Sequence, residues 1–276
     1  MNTQSARAET FRALHERPGL FVIPNPWDAG SARLLADLGF PALATTSAGL
    51  AFALGKPDGR GAVDRSETLA NARAIVEATP LPVAADLENG FGDDPQACAA
   101  TIRLAAEAGL VGGSIEDATG RADDPIYGFD TAVERVRAAV AAARALSFPF
   151  MLCARAENLI NGRPDLDDTI RRLVAFAEVG ADVLYAPGLR DAEAIRAVVQ
   201  AVAPKPVNVV MGLGTVSIST AELAQLGVKR VSVGSSLARA ALTGFLHAAR
   251  EIAEHGTFEF ARDAIAYREF NAKFER

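Results

Sequence analysis

Short apolar runs alternate along the chain with longer segments in which apolar residues return at helical spacing. The runs are Leu20–Ile23, Ala42–Thr45, Val83–Asp86, Gly113–Glu116, Phe150–Arg155, Val183–Ala186, Val207–Met211 and Arg230–Val233. Each has strand length and is apolar enough to be buried on both faces. A segment of helical period follows each run: Ala29–Leu38, Arg65–Ala78, Asp94–Ala108, Thr131–Leu146, Leu166–Val179, Asp191–Val202, Ser219–Gln225 and Leu237–Glu254. A further helix over Ser5–His15 precedes the first run. Several helices close on glycine, as in Leu38-Gly39 and Val179-Gly180, the C-cap chemistry expected before a strand.

Eight strand–helix pairs in 276 residues predict an α/β fold, a (β/α)8 TIM-type barrel of parallel strands. Residues 1–276 read as a single barrel domain, with 255–276 a C-terminal helical extension. A doubly wound open sheet is the alternative, but the glycine-rich turn expected after its first strand is missing, because Ile23 runs into Pro24-Asn25-Pro26.

A barrel holds its ligand at the C-terminal ends of the strands. Those ends carry Asn25 and Asp28, then Thr45, Thr46 and Ser47, then Asp86 and Glu88. Glu116-Asp117 and Arg155-Ala156-Glu157-Asn158 follow, with Asn208 early in the seventh strand before Met211-Gly212-Leu213-Gly214, and Gly234-Ser235-Ser236 after the eighth.

The stretch Ala84-Ala85-Asp86-Leu87-Glu88-Asn89-Gly90-Phe91-Gly92 is the most informative of these. On a strand the i, i+2 spacing puts Asp86 and Glu88 on one face. Two oxygen donors before a glycine-loosened backbone suit a hard cation that keeps several waters. The same stretch also reads as a strand end with solvated acids before a turn. Glu116 and Asp117 could cap the next helix, Arg155 could be a structural ion-pair partner, and Thr45 to Ser47 could be a plain turn.

Taken together, the rim residues have a chemical shape. Acids from the third and fourth strands can hold Mg²⁺, while Arg155 offers a planar fork to a carboxylate or phosphate. The hydroxyl and N–H groups of Thr45 to Ser47 can clasp a second carboxylate. Such a site would bind a small 2-oxo acid or its enolate, with the metal as Lewis acid. Two polar, glycine-bearing connections after rim strands, Gly49–Asp64 and Ala118–Asp130, read as lids, with disordered insertions as the alternative.

Composition narrows the partners. A net charge of −6 without a Lys/Arg block argues against nucleic acid. No apolar run approaches the ~18 residues of a membrane span, and Met1–Thr10 is polar with no signal-peptide core behind it, so a cytoplasmic protein is expected. Cys98 and Cys153 lack CxxC spacing and read as small buried hydrophobes. His15, His247 and His255 fall away from the acids, which disfavours a zinc site or a His-based triad.

The chain resembles the isocitrate lyase and phosphoenolpyruvate mutase superfamily over roughly Phe21–Leu242. Asp86-Leu87-Glu88-Asn89-Gly90-Phe91-Gly92 stands where that family has its metal-binding Asp-x-Asp and Gly-aromatic-Gly motif. Supporting matches are Leu54-Gly55-Lys56-Pro57-Asp58, Ser114-Ile115-Glu116-Asp117-Ala118, Ala154-Arg155-Ala156-Glu157, Gly180-Ala181-Asp182-Val183-Leu184 and Leu226-Gly227-Val228-Lys229-Arg230-Val231-Ser232. The resemblance implies a modified barrel, a tetramer or dimer of dimers, whose last helix is exchanged between subunits. That helix would correspond to Asp263–Phe274, where Tyr267, Phe270 and Phe274 lie at helical spacing; a helix packed on its own barrel is the alternative.

The resemblance also implies Mg²⁺, with Mn²⁺ as a substitute ion, and carbon–carbon or P–C bond chemistry on small 2-oxo or 2-hydroxy carboxylic acids. Carried over, Asp86 is the direct metal ligand, with Glu88, Glu116 and Asp58 in its water-mediated shell. Thr45, Thr46 and Ser47 would hold the carboxylate and oxo groups, and Arg155 and Asn208 would contact substrate.

Departures from the family pattern narrow the reaction. The lyases of isocitrate and methylisocitrate carry a cysteine after the fourth strand, whereas Ala118–Gly128 has neither cysteine nor lysine. Ala186-Pro187-Gly188 stands where those lyases have a glutamate, so a large tricarboxylate is disfavoured. The Lys and Asn of the mutases and phosphonopyruvate hydrolases are missing as well. What remains is a Mg²⁺-dependent carbon–carbon lyase or decarboxylase working through an enolate, with Arg155, Glu116 and Tyr185 as catalytic candidates. A P–C bond enzyme and a 2-oxo acid binding protein without turnover stay as alternatives.

Overall fold

The computed structural model describes residues 3–212 and 218–275, and in it eight parallel strands form a barrel wrapped by helices. The strands are β1 (Phe21–Ile23), β2 (Leu43–Ala44), β3 (Val83–Asp86), β4 (Gly112–Glu116), β5 (Met151–Arg155), β6 (Val183–Tyr185), β7 (Val207–Val210) and β8 (Arg230–Ser232). Each pairs with its successor from β2 onward, and β8 pairs back to β1.

β1 and β2 share no ladder, because β2 is only two residues long. The seam is closed instead by Ala44 N–H donating to the Pro24 carbonyl at 3.1 Å and by the Asn25 side chain. Asn25 Nδ2 donates to the Thr45 carbonyl at 3.0 Å, and Oδ1 accepts from Val233 and Gly234 N–H at 2.9 and 3.0 Å. One buried amide thus satisfies backbone groups that a longer ladder would have paired.

The helices are α1 (Gln4–Glu16), α2 (Ala29–Asp37), α3 (Ser47–Ala53), α4 (Arg65–Ala78), α5 (Pro95–Glu107), α6 (Phe129–Arg144), α7 (Leu166–Glu178), α8 (Ala192–Val202), α9 (Thr220–Gln225), α10 (Ser236–His255) and α11 (Tyr267–Ala272). Their starts follow local chemistry. Asp64 with Glu67 and Ser219 with Glu222 form capping boxes, and Asp94 caps a helix that has Pro95 at its first position. α2 and α4 to α9 bury apolar faces such as Ile75, Ile102, Phe176 and Val198 against the outside of the sheet, while Leu50 and Ala51 of α3 pack apart from it with Val63. α1 does something different: Ala8, Phe11 and Leu14 pack against Phe21, Val111, Met151 and Val183, all at strand starts, so this helix stoppers the N-terminal end of the barrel.

Three expectations change here. The connection after β2 is not all loop, because its first residues form α3, started by Thr46 Oγ1 accepting from Gly49 N–H at 3.3 Å. Asp28 is not a ligand-facing acid; it caps α2 in a capping box with Ser31. The helix expected over Asp263–Phe274 shrinks to α11, preceded by a 3-10 turn at Glu259–Arg262. Tyr267 is 86% exposed, and so short a helix gains little stability unless it buries a face. No helix among the described residues is long and apolar enough to cross a membrane.

Candidate active site

β3 delivers Asp86 to the barrel mouth as its last residue. Asp86 Oδ1 accepts from Arg155 Nη1 at 3.0 Å, from Glu88 N–H at 3.3 Å and from Ser114 Oγ at 3.4 Å. Oδ2 accepts from Ser47 N–H at 3.4 Å, at the start of α3. Behind it, Asp86 N–H donates to Thr45 Oγ1 at 3.1 Å, so the β2 turn and the β3 acid hold one another in place.

Glu88 reaches this group by a route that strand periodicity does not describe. β3 ends at Asp86, Leu87 is fully buried on the outer side, and Glu88 has φ +47°. The left-handed residue, not a shared strand face, turns its carboxyl toward Asp86. Phe91 is also left-handed at φ +59°, and Gly90 at φ +82° leaves no room for a Cβ, which would lie 2.8 Å from Cys98 Sγ. Such backbone persists only where the surroundings impose it. Here Arg135 of α6 imposes it, donating to the carbonyls of Asn89, Gly92 and Asp93.

Arg155, the last residue of β5, is the hub of the charge arrangement. Its Nη1, Nη2 and Nε lie 3.0, 3.2 and 2.7 Å from Asp86, Glu116 and Glu157. Its guanidinium also sits over the Tyr185 ring, 5.0 Å from the centroid. Strand alternation separates Glu116 from Asp117: Glu116 faces in, while Asp117 faces away, accepting from Glu157 N–H at 2.8 Å and from Arg172 of α7 at 3.0 Å. Asp117 therefore leaves the set of ligand-facing acids.

Two connected cavities open here. An inner one of about 180 Å³ is lined by Thr45, Thr46, Asp86, Tyr185, Asn208 and Arg230 among others, and an outer one of about 1170 Å³ by Asp64, Glu88, Phe91, Glu116, Arg121 and Glu157 among others. Ser47, Asp58, Arg155 and Ile160 border both. The connections expected to act as lids supply much of the outer wall. The one after β4 is pinned by an Ala118–Ile126 bridge and by Arg121 and Tyr127, which both hold Asp93.

Like charges and burial leave a mark on the carboxyls. Burial, then the charges of Asp86 and Asp58, pushes the Glu88 pKa up to about 7. Asp58 is raised by burial and by Asp86. Glu116 is raised well above the carboxylate range by burial, with Arg155 opposing and Glu157 and Asp86 adding to the rise. Burial likewise pushes the Tyr185 phenol up, so it holds its proton across the physiological range.

Five carboxyls, those of Asp58, Asp86, Glu88, Glu116 and Glu157, thus face one guanidinium, an excess of negative charge that a divalent cation would relieve. Among the described residues no three His, Cys, Asp or Glu side chains approach closely enough to cage an ion by themselves. The donor set therefore fits a cation bound through one or two carboxylates that keeps most of its water, the habit of Mg²⁺.

The remaining candidates are placed as follows. Thr46 spends its hydroxyl on α3, and Asn208 sits on the cavity floor, with Nδ2 donating to Ser232 Oγ at 3.0 Å and Oδ1 accepting from Arg230 Nε at 2.8 Å. Leu213 and Gly214, placed on the rim by the strand pattern, lie outside the described residues. Ser114, Cys153 and Arg230 line the inner cavity, where the sequence placed none of them: Cys153 read only as a buried hydrophobe, and the alternation Arg230-Val231-Ser232-Val233 within an otherwise apolar strand was a signal for Arg230.

With this geometry in view, comparison with known proteins is specific. The family model described as phosphoenolpyruvate phosphomutase matches residues 11–253, and the chain belongs to that family, within the isocitrate lyase and phosphoenolpyruvate mutase superfamily. A solved structure from Burkholderia cenocepacia J2315, assigned only provisionally as a lyase/mutase, is 62% identical, with a TM-score of 0.96 over 100% of this chain and 98% of that one. The 2,3-dimethylmalate lyase of Eubacterium barkeri is 30% identical over 82% of this chain and 78% of its own length. An oxaloacetate acetylhydrolase solved with its product oxalate is 29% identical, with a TM-score of 0.88 over 98% and 94% of the two chains. The chain is an enzyme of that superfamily, and several of its relatives are named for activities on small carboxylic acids, 2-methylisocitrate, 2,3-dimethylmalate and oxaloacetate among them.

Proposed function

We propose that this chain is a Mg²⁺-dependent carbon–carbon lyase or decarboxylase acting on a small 2-oxo or 2-hydroxy carboxylate through an enolate, with Mn²⁺ able to substitute. The observation that carries the reading is the Arg155–Asp86 pair at the junction of the two cavities, ringed by carboxyls whose pKa values are raised. Asp86 would be the direct ligand, with Asp58, Glu88 and Glu116 reaching the ion through water. The bound ion supplies Lewis-acid stabilisation of negative charge on the 2-oxo oxygen.

The chain's own residues do the rest. Ser47 N–H at the start of α3, with Thr45 and Thr46 beside it, orients the acid's carboxylate, and Asn208 meets the other end. Arg155 keeps the acids from repelling one another and presents its remaining N–H groups to substrate. When the C–C bond breaks, its electron pair passes into the enolate, and the carbon that later takes a proton needs a protonated donor nearby. Glu116, whose pKa burial raises, and the Tyr185 phenol are the two candidate donors.

The test is turnover of a panel of 2-oxo and 2-hydroxy acids, oxaloacetate and 2,3-dimethylmalate included, with Mg²⁺ or Mn²⁺. Metal-dependent release of pyruvate, glyoxylate or a comparable oxo acid is expected. No turnover across the panel refutes the reading, and inorganic phosphate from phosphonopyruvate would assign P–C chemistry instead.

The same reading treats the chain as one barrel domain with 255–276 as an extension, working in the cytoplasm as a tetramer or dimer of dimers. What supports the assembly is an apolar surface on α10 and beyond: Phe245, Phe258, Ile265 and Tyr267 are each more than half exposed. That surface would be covered by exchange of the C-terminal helix with a second copy.

A further inference from the structure

Arg230 opens β8 and points into the barrel, lining the inner cavity beside Asn208 and Cys153, while Val231 packs outward among the helices. Barrel interiors are ordinarily filled by Val, Ile and Leu, so a guanidinium at this depth needs another explanation. It is only 7% exposed. Its Nε donates to Asn208 Oδ1 at 2.8 Å and its Nη1 to His15 Nε2 at 3.3 Å.

Neither partner carries negative charge. His15 Nδ1 lies 2.8 Å from the Phe11 carbonyl, which can only accept, so Nδ1 holds the ring proton and Nε2 offers a lone pair to Arg230. Burial and the charge of Arg230 push the His15 pKa down to about 3, which keeps the ring neutral. The other buried guanidinium at the cavity, Arg155, pairs with three acids, and Arg172 pairs with Asp117; no carboxylate among the described residues pairs with Arg230. Its Nη2 has no oxygen or nitrogen acceptor among the described residues, and the neighbouring Cys153 thiol, kept uncharged because burial pushes its pKa up, is a weak one.

The register shows how the two cavity arginines are related. Arg155 is opposite Tyr185, Tyr185 opposite Asn208, and Asn208 opposite Arg230. Strands tilt against a barrel axis, so a row of opposed residues runs obliquely from rim to floor. It begins at the end of β5 and finishes at the start of β8. A charge withdrawn from water without a counter-charge is expensive, and one that borders a cavity can be compensated by what enters the cavity.

We infer that Arg230, supported by Asn208 and His15, is an anion-binding residue on the floor of the inner cavity and engages a second carboxylate of the bound acid. The substrate is then a compact dianion, with one carboxylate at the Ser47–Asp86 end and the other on Arg230. This deepens the reading of the cavity as an acid site and rests on it.

The test is calorimetric binding to the full chain in the presence of Mg²⁺, with malonate and succinate as dicarboxylate probes and pyruvate as the monocarboxylate. Arg230→Gln should weaken the dicarboxylates by about ten-fold or more while changing pyruvate by less than about two-fold, with Arg230→Lys between. Equal weakening of both classes would assign Arg230 a structural role through Asn208 and overturn the inference, as would no weakening, or no dicarboxylate binding by the unaltered protein. If neither variant folds, a crystal of the unaltered protein with malonate decides. A carboxylate on Arg230 Nη2 supports the inference, and malonate bound only elsewhere overturns it. Dicarboxylate binding that depends on Arg230 without turnover of any acid would refute the lyase reading and leave this subsite standing.

Discussion

Arg155 and Asp86 end strands β5 and β3, with β4 between them, and meet at 3.0 Å across the barrel mouth. Because the same guanidinium also holds Glu116 and Glu157, it is the counter-charge for three acids at once. Arg155→Met should therefore leave buried carboxyls without a partner. Breaking a buried pair from one side costs about 3–5 kcal/mol, and urea unfolding at neutral pH should show a loss of that order. Mg²⁺ should recover part of it; a variant as stable as the parent would show that Arg155 is not the hub.

Asp86→Asn keeps the shape of the side chain and removes its charge. The protein should remain folded but lose Mg²⁺-dependent thermal stabilisation, since only a ligand bound to the native state raises the melting temperature. Turnover should fall by about 100-fold or more, in the range seen when a preorganised charge-stabilising group is removed. Retained metal-dependent stabilisation would place the ion elsewhere.

Acid should loosen the stopper of the barrel through His15. Its pKa is near 3 in the fold against 6.5 for the free side chain, so between those values the unfolded chain binds the extra proton. Stability from this group is complete above about pH 6.5 and drains away as pH falls toward 3, by up to about 1.4 kcal/mol per pH unit. His15→Gln, which keeps an acceptor for Arg230 but does not titrate, should show a shallower decline in urea midpoints between pH 6 and 4. Parallel declines would assign the acid sensitivity to other groups.

Gly112 lets α1 seat. A Cβ there would lie 2.8 Å from Phe11 Cε1 and 2.9 Å from the Met151 carbonyl oxygen. Gly112→Ala should cost about 1–3 kcal/mol by overpacking, and Phe11→Leu in the same chain should restore part of it. Additive losses in the double variant would count against the contact.

Removal of residues 257–276 tests the proposed helix exchange. Light scattering should show a smaller assembly than the full chain forms, because Phe258, Ile265 and Tyr267 leave with the segment. An unchanged mass would assign the assembly to other surfaces.

Much of the placement of the candidate site was legible from the chain, and the parts that were not share a cause. Asp86, Glu116 and Arg155 follow from strand position, since the end of a parallel barrel strand is a fixed place. Asp28 and Asp117 carry the same chemistry at neighbouring positions, yet one caps α2 and the other faces Arg172, and only the local backbone and strand alternation separate them. Glu88 reaches Asp86 through a left-handed residue imposed by Arg135 from 47 positions away, which no strand pattern encodes.

By itself, the sequence determined the eight strand–helix units and hence the barrel, because hydrophobic period, caps and turns act within a few residues of one another. It also brought the acids of β3 and β4 and the arginine of β5 to one rim. Only the tertiary structure decided which acids share a guanidinium, how Asn25 closes the seam, and that Arg230 stands over His15 with no carboxylate partner among the described residues. Those outcomes depend on strand register and on α1 returning beneath strands far away in sequence, where contact is set by the closure of the barrel and not by spacing along the chain.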